Sequence, residues 1–453
     1  MKVLITGATG LIGKEIGKKL AENGHEIFIV SRSLAKAREN LPFPCEVIRG
    51  DLTHEVIHDE KLKNIEGVIN LLGEGIADGR WNEARKKRIY ESRIEGTRNL
   101  IKSLPQELKV CVSGSAMGFY GDGKESVLTE DSTAGDDFLA KVCVDWEAEA
   151  KKASGRKVFI RTSMVLSPDG GALEKMMFPF RLGLGGNLGD GKQWMSWIHI
   201  DDIVGLFVHA LENENVQGPV NGCSPYPVRN HEFTQNLAGA LGKGTGPAVP
   251  VLALKVLFGE LAESLVYSQQ GDAKKAITLG YKFKHEKLQE ALRDICAPFK
   301  SGEERFYAEQ FLAEPPEKVF EFFKDPNNLE RITPELLNFH IAKVSTTDIG
   351  QGTLIDYKMK IRGIPLTWKT EIDEWKPPFK FVDNQTAGPY TLWHHTHEFK
   401  PFAGGTLMTD HVRYKLPMGF LGWAVAQNFV KKDVANIFSF RRKFIANLKD
   451  ERK

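Results

Sequence analysis

The chain has 453 residues, of which 26% are charged, 42% hydrophobic and 10% aromatic, a composition that excludes a disordered or fibrous protein. Lys and Arg number 61 against 59 Asp and Glu, so the net charge of +2 gives no global basic excess for binding nucleic acid. No uninterrupted apolar run reaches about 18 residues, so no membrane span is predicted.

Met1–Gly7 (MKVLITG) reads as a strand entering a glycine turn, and the fold is expected to start at residue 1 without a signal peptide. Val3–Ile5, Ile27–Val30, Val47–Ile48, Val68–Leu72, Val110–Ser113 and Phe159–Arg161 are predicted strands. The stretches between them have helical periods; Tyr90, Ile94, Thr97, Ile101 and Leu104 fall on one helix face. This alternation argues for a parallel sheet covered on both sides. Residues 180–250 are richer in Gly and Pro, 250–295 read as helices, and Pro298–Gly302 reads as a linker. Beyond it the chain is rich in aromatics and alternating strands: Thr353–Ile361, Leu366–Trp375, Phe379–Asn384, Thr391–Phe399 and Thr406–Leu416. Helices are predicted at Pro316–Lys324 and from about Gly419 to Leu448. The expected domains are 1–297, with 248–297 as its helical C-terminal segment, and 303–450. The five cysteines (Cys45, Cys111, Cys143, Cys223, Cys296) are odd in number, far apart and free of CxxC pairs. They argue against a disulfide framework or a cysteine zinc site and suit a cytoplasmic location.

The strongest motif is Thr6-Gly7-Ala8-Thr9-Gly10-Leu11-Ile12-Gly13, a GxxGxxG between a strand and a helix. Gly7 makes the tight turn, Gly10 lets backbone approach a pyrophosphate, and Gly13 lets helix pack on strand. The helix N-terminus offers free N–H groups and the positive end of its dipole to phosphate. After the second strand stands Ser31-Arg32-Ser33, without the carboxylate that an NAD site uses for the ribose 2′-hydroxyl. An arginine there favours a 2′-phosphate, hence NADP(H) over NAD(H). Asp51 and Leu52 are placed beside the adenine, and Asn70-Leu71-Leu72-Gly73 under the cofactor ribose.

TGATGLIG, Asp51-Leu52 and Ser113-Gly114-Ser115 with Tyr120-Gly121 resemble the extended short-chain dehydrogenase/reductase family of epimerase and dehydratase type. Leu72-Gly73-Glu74, Gly79-Arg80-Trp81, Tyr90-Glu91-Ser92-Arg93, Trp146-Glu147 and Ser196–Asp202 narrow the resemblance to the SDR39U1/YfcH-like branch, over about residues 1–295. The resemblance implies an α/β, Rossmann-type, doubly wound parallel sheet that binds NADP(H) and a small-molecule substrate it does not name.

The broader family pairs Tyr-x-x-x-Lys on one helix with a nearby serine, so that lysine lowers the tyrosine pKa and tyrosine exchanges the proton. Ser115 fits the serine position. On the expected helix, the residue four before Lys141 is Asp137, and alignment on Glu147 puts Leu139 and Cys143 at the pair. The pair is therefore not found. Ser115 and Lys141 remain the catalytic candidates, Tyr120 reads as a turn residue, and Arg161 is expected at the sheet edge beside the cofactor. His199, Asp201 and Asp202 read as a loop and helix cap.

Gly352-Thr353, Trp368, Trp375-Lys376-Pro377-Pro378, Gly388-Pro389-Tyr390, Trp393–His397 and Leu416-Pro417 resemble the START-like, polyketide-cyclase-type (SRPBCC) superfamily. The resemblance implies an α+β helix-grip, a curved sheet wrapped on the last helix around a cavity for an apolar ligand. Trp368, Tyr390, Trp393, His395 and His397 are its candidate lining. Trp393, His395 and His397 share a strand face, since side chains alternate. The histidines are read as structural or ligand-orienting, with no metal, although a His-x-His pair with Asp410 is a possible ligand set. Lys431-Lys432 and Arg441-Arg442-Lys443 are expected on the solvated face of the last helix.

Two functions follow. One is an NADP(H)-dependent oxidoreductase or epimerase of unknown substrate, fused to a hydrophobic-ligand domain. The other is a catalytically silent NADP(H)-binding sensor or carrier of an apolar ligand.

Overall fold

The computed structural model describes residues 1–300, 302–417 and 419–447; Leu448 of the expected last helix, and residues 448–450 of the expected second domain, lie outside the described residues. The chain divides into two compact units, Met1–Leu34 with Cys45–Ala297 and Ala35–Pro44 with Pro298–Lys453.

The first unit is built on a seven-stranded, all-parallel sheet. Its strands are β1 (Lys2–Thr6), β2 (Glu26–Ser31), β3 (Glu46–Arg49), β4 (Gly67–Asn70), β5 (Val110–Ala116), β6 (Arg156–Thr162) and β7 (Gly218–Gly222). They lie in the order β7-β6-β5-β4-β1-β2-β3. Every residue of β4 is buried, as are Val3–Thr6 of β1, the near-continuous apolar reading that a sheet covered on both faces requires. The strand order reverses between β1 and β4, which opens a crevice at their C-terminal ends. Asn70 ties that point together. Its Oδ1 accepts from Thr6 Oγ1 at 2.9 Å, and its Nδ2 donates to Thr97 Oγ1 at 2.9 Å and Ser113 Oγ at 3.2 Å.

Helix α1 (Leu11–Glu22) follows β1 and buries Ile16 and Leu20 against the sheet. Helix α2 (Glu83–Ser103) carries the predicted stripe, with Ile94 and Thr97 buried and Asn82 capping its start. Helix α3 (Phe138–Ala150) begins at Asp137, whose carboxylate accepts from the Leu139 and Ala140 amides. Helix α4 (Ile200–Glu212) begins at His199.

Two elements depart from the sequence reading. Strand β7 (GPVNG) went unpredicted because Gly and Pro interrupt its apolar pattern; it is nonetheless the sheet's edge strand, with Val220 fully buried. The expected linker at Pro298 is instead the end of a helix spanning Leu288–Lys300. A proline in a last turn removes a single N–H, and the helix continues past it.

The second unit is a seven-stranded antiparallel sheet in the order β8-β14-β13-β12-β11-β10-β9. The strands are β8 (Glu304–Leu312), β9 (His340–Val344), β10 (Leu354–Ile361), β11 (Ile364–Lys376), β12 (Lys380–Ala387), β13 (Leu392–Phe402) and β14 (Gly405–Lys415). Five of these match predicted strands; the two edge strands, β8 and β9, are irregular in burial and carry a weak alternating signal. Helix α5 (Pro316–Phe323) packs Phe320 on Phe381 and Phe399. The long helix α6 (Gly419–Asn447) buries Val434, Phe438 and Ile445 against the sheet, the helix-grip arrangement. Each such fully buried side chain contributes roughly 1.5–3 kcal/mol.

Candidate functional site

Three glycines shape the loop after β1. Gly7 has φ +67°, and a Cβ there would meet the Leu71 carbonyl oxygen at 2.5 Å. A Cβ at Gly13 would meet Ala8 Cα at 2.8 Å, so α1 lies hard against the turn. A Cβ at Gly10 would meet Gly7 O at 3.2 Å and otherwise project into open space among the described residues. Gly10 is the N-cap of α1, with no capping side chain and no acidic residue in the first turn. Thr9 and Gly10 are exposed, while Leu11 and Ile12 are half-buried. The loop therefore presents an uncapped helix N-terminus, the electropositive end of the dipole, beside an unobstructed backbone.

At the end of β2, Ser31 Oγ donates to Ser33 O at 3.1 Å, and the Arg32 side chain is 82% exposed with Nη1 4.0 Å from Asp51 Oδ2. Burial alone would raise the Asp51 pKa, but hydrogen bonds from Thr53 and the Arg32 charge outweigh it and lower it. The Leu52 side chain is buried in the core and Leu72 packs against the same cluster. A Cβ at Gly73 would meet the Arg93 guanidinium, with Cζ at 2.7 Å.

The expected catalytic positions behave differently. Ser115 is buried on β5, and its hydroxyl donates to Glu147 Oε1 at 2.7 Å. Arg161 lies across the β5–β6 ladder from Ser115 and grips the same carboxylate through Nε at 2.9 Å and Nη2 at 3.0 Å. Its Nη1 donates to Tyr120 Oη at 3.0 Å and Glu130 O at 3.1 Å, and Tyr120 in turn donates to Asn221 Oδ1 at 2.7 Å. Burial pushes Tyr120 up to about 12. Arg161, expected beside the cofactor, thus has its donors engaged inside the protein. Lys141, expected with Ser115, is two-thirds exposed and pairs with Asp145 at 2.8 Å, which also accepts from Tyr90 Oη at 2.8 Å. The reason is helical register: with Asp137 as the cap, Lys141 falls on the outer face and Cys143 on the buried one.

Sequence reasoning gave Arg93 no role. Its Nη1 donates to the Glu74 and Ile89 carbonyls at 3.1 Å, and its guanidinium lies 5.2 Å from the Trp146 ring centroid. Burial pushes the Cys143 thiol up to about 11, against the opposing pull of the Arg93 charge and hydrogen bonds with Ala116 and Ser115. The available signal was the position of Arg93 on α2, one residue before Ile94 of the buried stripe. His199, expected as a cap, caps α4 by accepting from the Asp201 amide at 3.1 Å, and its ring centroid lies 3.8 Å from that of His285 with the two planes tilted.

The second unit encloses a cavity of about 460 Å³ with mostly apolar walls. Trp368, Tyr390, Trp393, His395 and His397 all line it. The first three form an aromatic cluster with ring centroids 5.0 to 5.5 Å apart. Among the polar groups of the wall, Asp383, His395, His397 and Arg441 lie close together. Arg441, expected in solvent, is 7% exposed and donates to Asp410 Oδ1 at 3.2 Å; the helix turns it inward while Lys431, Lys432 and Lys443 stay exposed. Burial, then the neighbouring His397, lowers His395 to about 4, whereas Asp383 and Asp410 outweigh burial and raise His397.

Three family models match the sequence: the NAD dependent epimerase/dehydratase family over residues 3–221, a domain of unknown function over 249–295, and polyketide cyclase / dehydrase and lipid transport over 312–438. Among curated proteins, the chloroplastic SDR39U1 homologue of Arabidopsis thaliana is 40% identical over 305 residues, covering 65% of this chain and 86% of the relative. Human epimerase family protein SDR39U1 is 36% identical over 306 residues, covering 66% of this chain and 100% of the relative. This chain belongs to the SDR39U1 epimerase family. The crystal structure of human SDR39U1 (isoform 2) with NADPH aligns at a TM-score of 0.59 and 35% identity, over 66% of this chain and 99% of that one. A nucleoside-diphosphate sugar epimerase from Corynebacterium glutamicum aligns at 0.52 and 30% identity, over 65% of this chain and 58% of that one. The SDR39U1 relatives thus account for about two-thirds of the chain, and the polyketide-cyclase domain is a separate addition. No helix among the described residues is long and apolar enough to cross a membrane.

Proposed function

We propose that this SDR39U1-family chain binds NADP(H) in its first unit without the proton relay of ordinary short-chain dehydrogenases, and carries an apolar small molecule in its second. Cofactor binding is supported by the open backbone at Gly10, the uncapped start of α1, Arg32 at the tip of β2, and the NADPH in the human relative's structure. The observation that carries the silent reading is the closed Ser115–Glu147–Arg161–Tyr120 network, in which the serine hydroxyl is already committed to a buried carboxylate. The cavity supports the carrier role: its volume falls within the range of small-molecule sites, and its mostly apolar, aromatic wall also carries polar groups. Five free cysteines, none of them fully exposed, fit a cytoplasmic protein.

A second reading, an NADP(H)-dependent oxidoreductase or epimerase, is supported by the likeness, at 30% identity, to a nucleoside-diphosphate sugar epimerase from Corynebacterium glutamicum. One experiment separates the two. The purified chain is titrated with NADPH and NADH by fluorescence, then NADPH oxidation is followed across a panel of aldehydes, ketones and nucleotide sugars. Saturable NADPH binding without turnover is expected. Absence of binding overturns the cofactor assignment, and turnover abolished by Ser115→Ala establishes the enzyme.

A further inference from the structure

We infer that Asp383, His395 and His397 form a binding site for a divalent first-row transition-metal ion, of the zinc or iron class, in the wall of the cavity of the second unit. The antiparallel register builds the cluster. Asp383 on β12 stands opposite His395 on β13, and Asp410 on β14 stands opposite His397. Strand alternation then puts all four side chains on one face.

The donor spacing fits a metal. Asp383 Oδ2 lies 3.4 Å from His395 Nδ1 and 3.1 Å from His397 Nε2, and one donor atom from each residue falls within 4.8 Å of the others. Bonds of 2.0–2.2 Å at tetrahedral or octahedral angles put neighbouring donors roughly 2.8–3.6 Å apart. Two imidazoles and one carboxylate suit zinc or non-haem iron, whereas magnesium and calcium prefer all-oxygen sets.

The outer groups are arranged as metal sites arrange them. His395 Nε2 lies 3.0 Å from Asp410 Oδ1, and His397 Nδ1 lies 3.0 Å from the same oxygen. The second contact is out of line for a hydrogen bond, so a buried nitrogen is left without an aligned partner. Arg441 anchors Asp410 from α6. The Asp410 carboxylate behind His395 fixes which of that ring's nitrogens faces forward. Phe381 stacks on His397 at 4.0 Å and Phe438 meets His395 edge-on at 5.3 Å, so packing also holds the rings.

Asp383, His395 and His397 line the cavity, whereas Asp410 is not part of its wall. A further coordination position therefore faces the cavity. With neutral imidazoles, two carboxylates and one guanidinium leave a single negative charge. A divalent ion makes the site singly positive, which favours hydroxide or an anionic oxygen in the open position.

The described residues hold one other grouping of this kind, His199, Asp201 and His285. It is a weaker candidate. Asp201 is half exposed at 3.6 and 4.0 Å from the two rings, and His199 Nδ1 already accepts from the Asp201 amide.

The metal assignment does not depend on the carrier reading, and its test uses metal alone. Full-length protein is stripped with a chelator and titrated with Co²⁺, whose visible spectrum reports coordination, then with Zn²⁺ in competition. One equivalent of Co²⁺ displaced by Zn²⁺ is expected, unchanged in His285→Asn. Asp383→Asn and His397→Gln should each weaken it by roughly 100-fold or more, and Asp410→Asn by about 10- to 100-fold. Absence of binding at micromolar metal, retention of full affinity in the Asp383 and His397 variants, or loss in His285→Asn overturns the assignment. Should the cavity variants fail to fold by circular dichroism, zinc-edge absorption spectra of the wild type and His285→Asn decide. Two imidazoles and oxygen in both support the site, and any other ligand set overturns it.

Discussion

The Ser115 hydroxyl and the Glu147 carboxylate meet at 2.7 Å beneath the C-terminal edge of the parallel sheet, and Arg161 holds that carboxylate from the other side. The Glu147–Arg161 pair is almost fully buried, with side chains 3% and 4% exposed. Removing one partner of such a pair strands the other charge. Glu147→Gln should therefore cost about 3–5 kcal/mol, whereas Ser115→Ala, which leaves the pair intact, should cost about 1 kcal/mol. Urea unfolding followed by tryptophan fluorescence measures both, and equal losses would contradict the network.

The glycines of the first loop separate stability from binding. A methyl at Gly13 runs into the Ala8 and Gly7 backbone, whereas a methyl at Gly10 points into the space proposed for the diphosphate. Gly13→Ala should lower the melting temperature and abolish NADPH binding together. Gly10→Ala should leave melting within about 3 °C of wild type, a change of under about 1 kcal/mol, yet weaken NADPH at least about tenfold, or 1.4 kcal/mol. Scanning calorimetry and fluorescence titration check the pair.

Arg32 tests the cofactor choice. Its exposed guanidinium is tethered only loosely, 4.0 Å from Asp51, and is available to a 2′-phosphate. Arg32→Glu should weaken NADPH about tenfold or more, through both a lost donor and a new repulsion, and change NADH by less than about threefold. Equal losses measured by titration calorimetry would remove Arg32 from the site.

Much of this was legible because its causes are local. The glycine turn requires particular residues at fixed offsets, and strand alternation placed His395 and His397 on one face with Trp393. Asp383 was missed because its role depends on a strand register that sequence spacing does not set. Arg441 was misread because a cationic run on a long helix ordinarily faces water, whereas here the buried Asp410 draws it inward. Lys141 was overvalued because a lysine on the right helix fits the family pattern, yet one step of register decides which face it occupies. Strand β7 carries Gly and Pro where the apolar pattern should be, and tertiary pairing overrides them.

His199 sets a pH dependence. Burial first, then the His285 charge, lowers its pKa to about 4 from 6.5, although Asp201, Asp202 and Asp294 pull upward. Below pH 6.5 the unfolded chain binds a proton that the folded one refuses, so stability falls as pH drops, until about pH 4. At pH 5 the loss from this group is about 2 kcal/mol. His199→Asn keeps a capping oxygen but removes the titration. Wild type should therefore lose more stability than the variant between pH 7.5 and pH 5 in urea unfolding, and parallel losses would refute the role of His199.

The cavity yields the test of the carrier reading. Ile355 on β10 is 5% exposed and lines the cavity with Tyr357 and Trp368. In a filled core a tryptophan there would overpack and cost about 1–3 kcal/mol. Here the extra ring has about 460 Å³ of space to enter. Ile355→Trp should therefore unfold within about 1.5 kcal/mol of wild type, a volume change the cavity absorbs. It should also weaken an environment-sensitive long-chain fatty-acid probe by about tenfold or more, since it removes the volume the chain would occupy. Its NADPH affinity should stay unchanged, because Ile355 belongs to the second unit. Trp368→Ala acts in the opposite sense: it widens the cavity, breaks the cluster with Tyr390 and Trp393, and should cost about 3–5 kcal/mol. Probe affinity that ignores Ile355→Trp, with the variant folded, would show that the probe binds elsewhere and would remove the support for an apolar ligand in this unit.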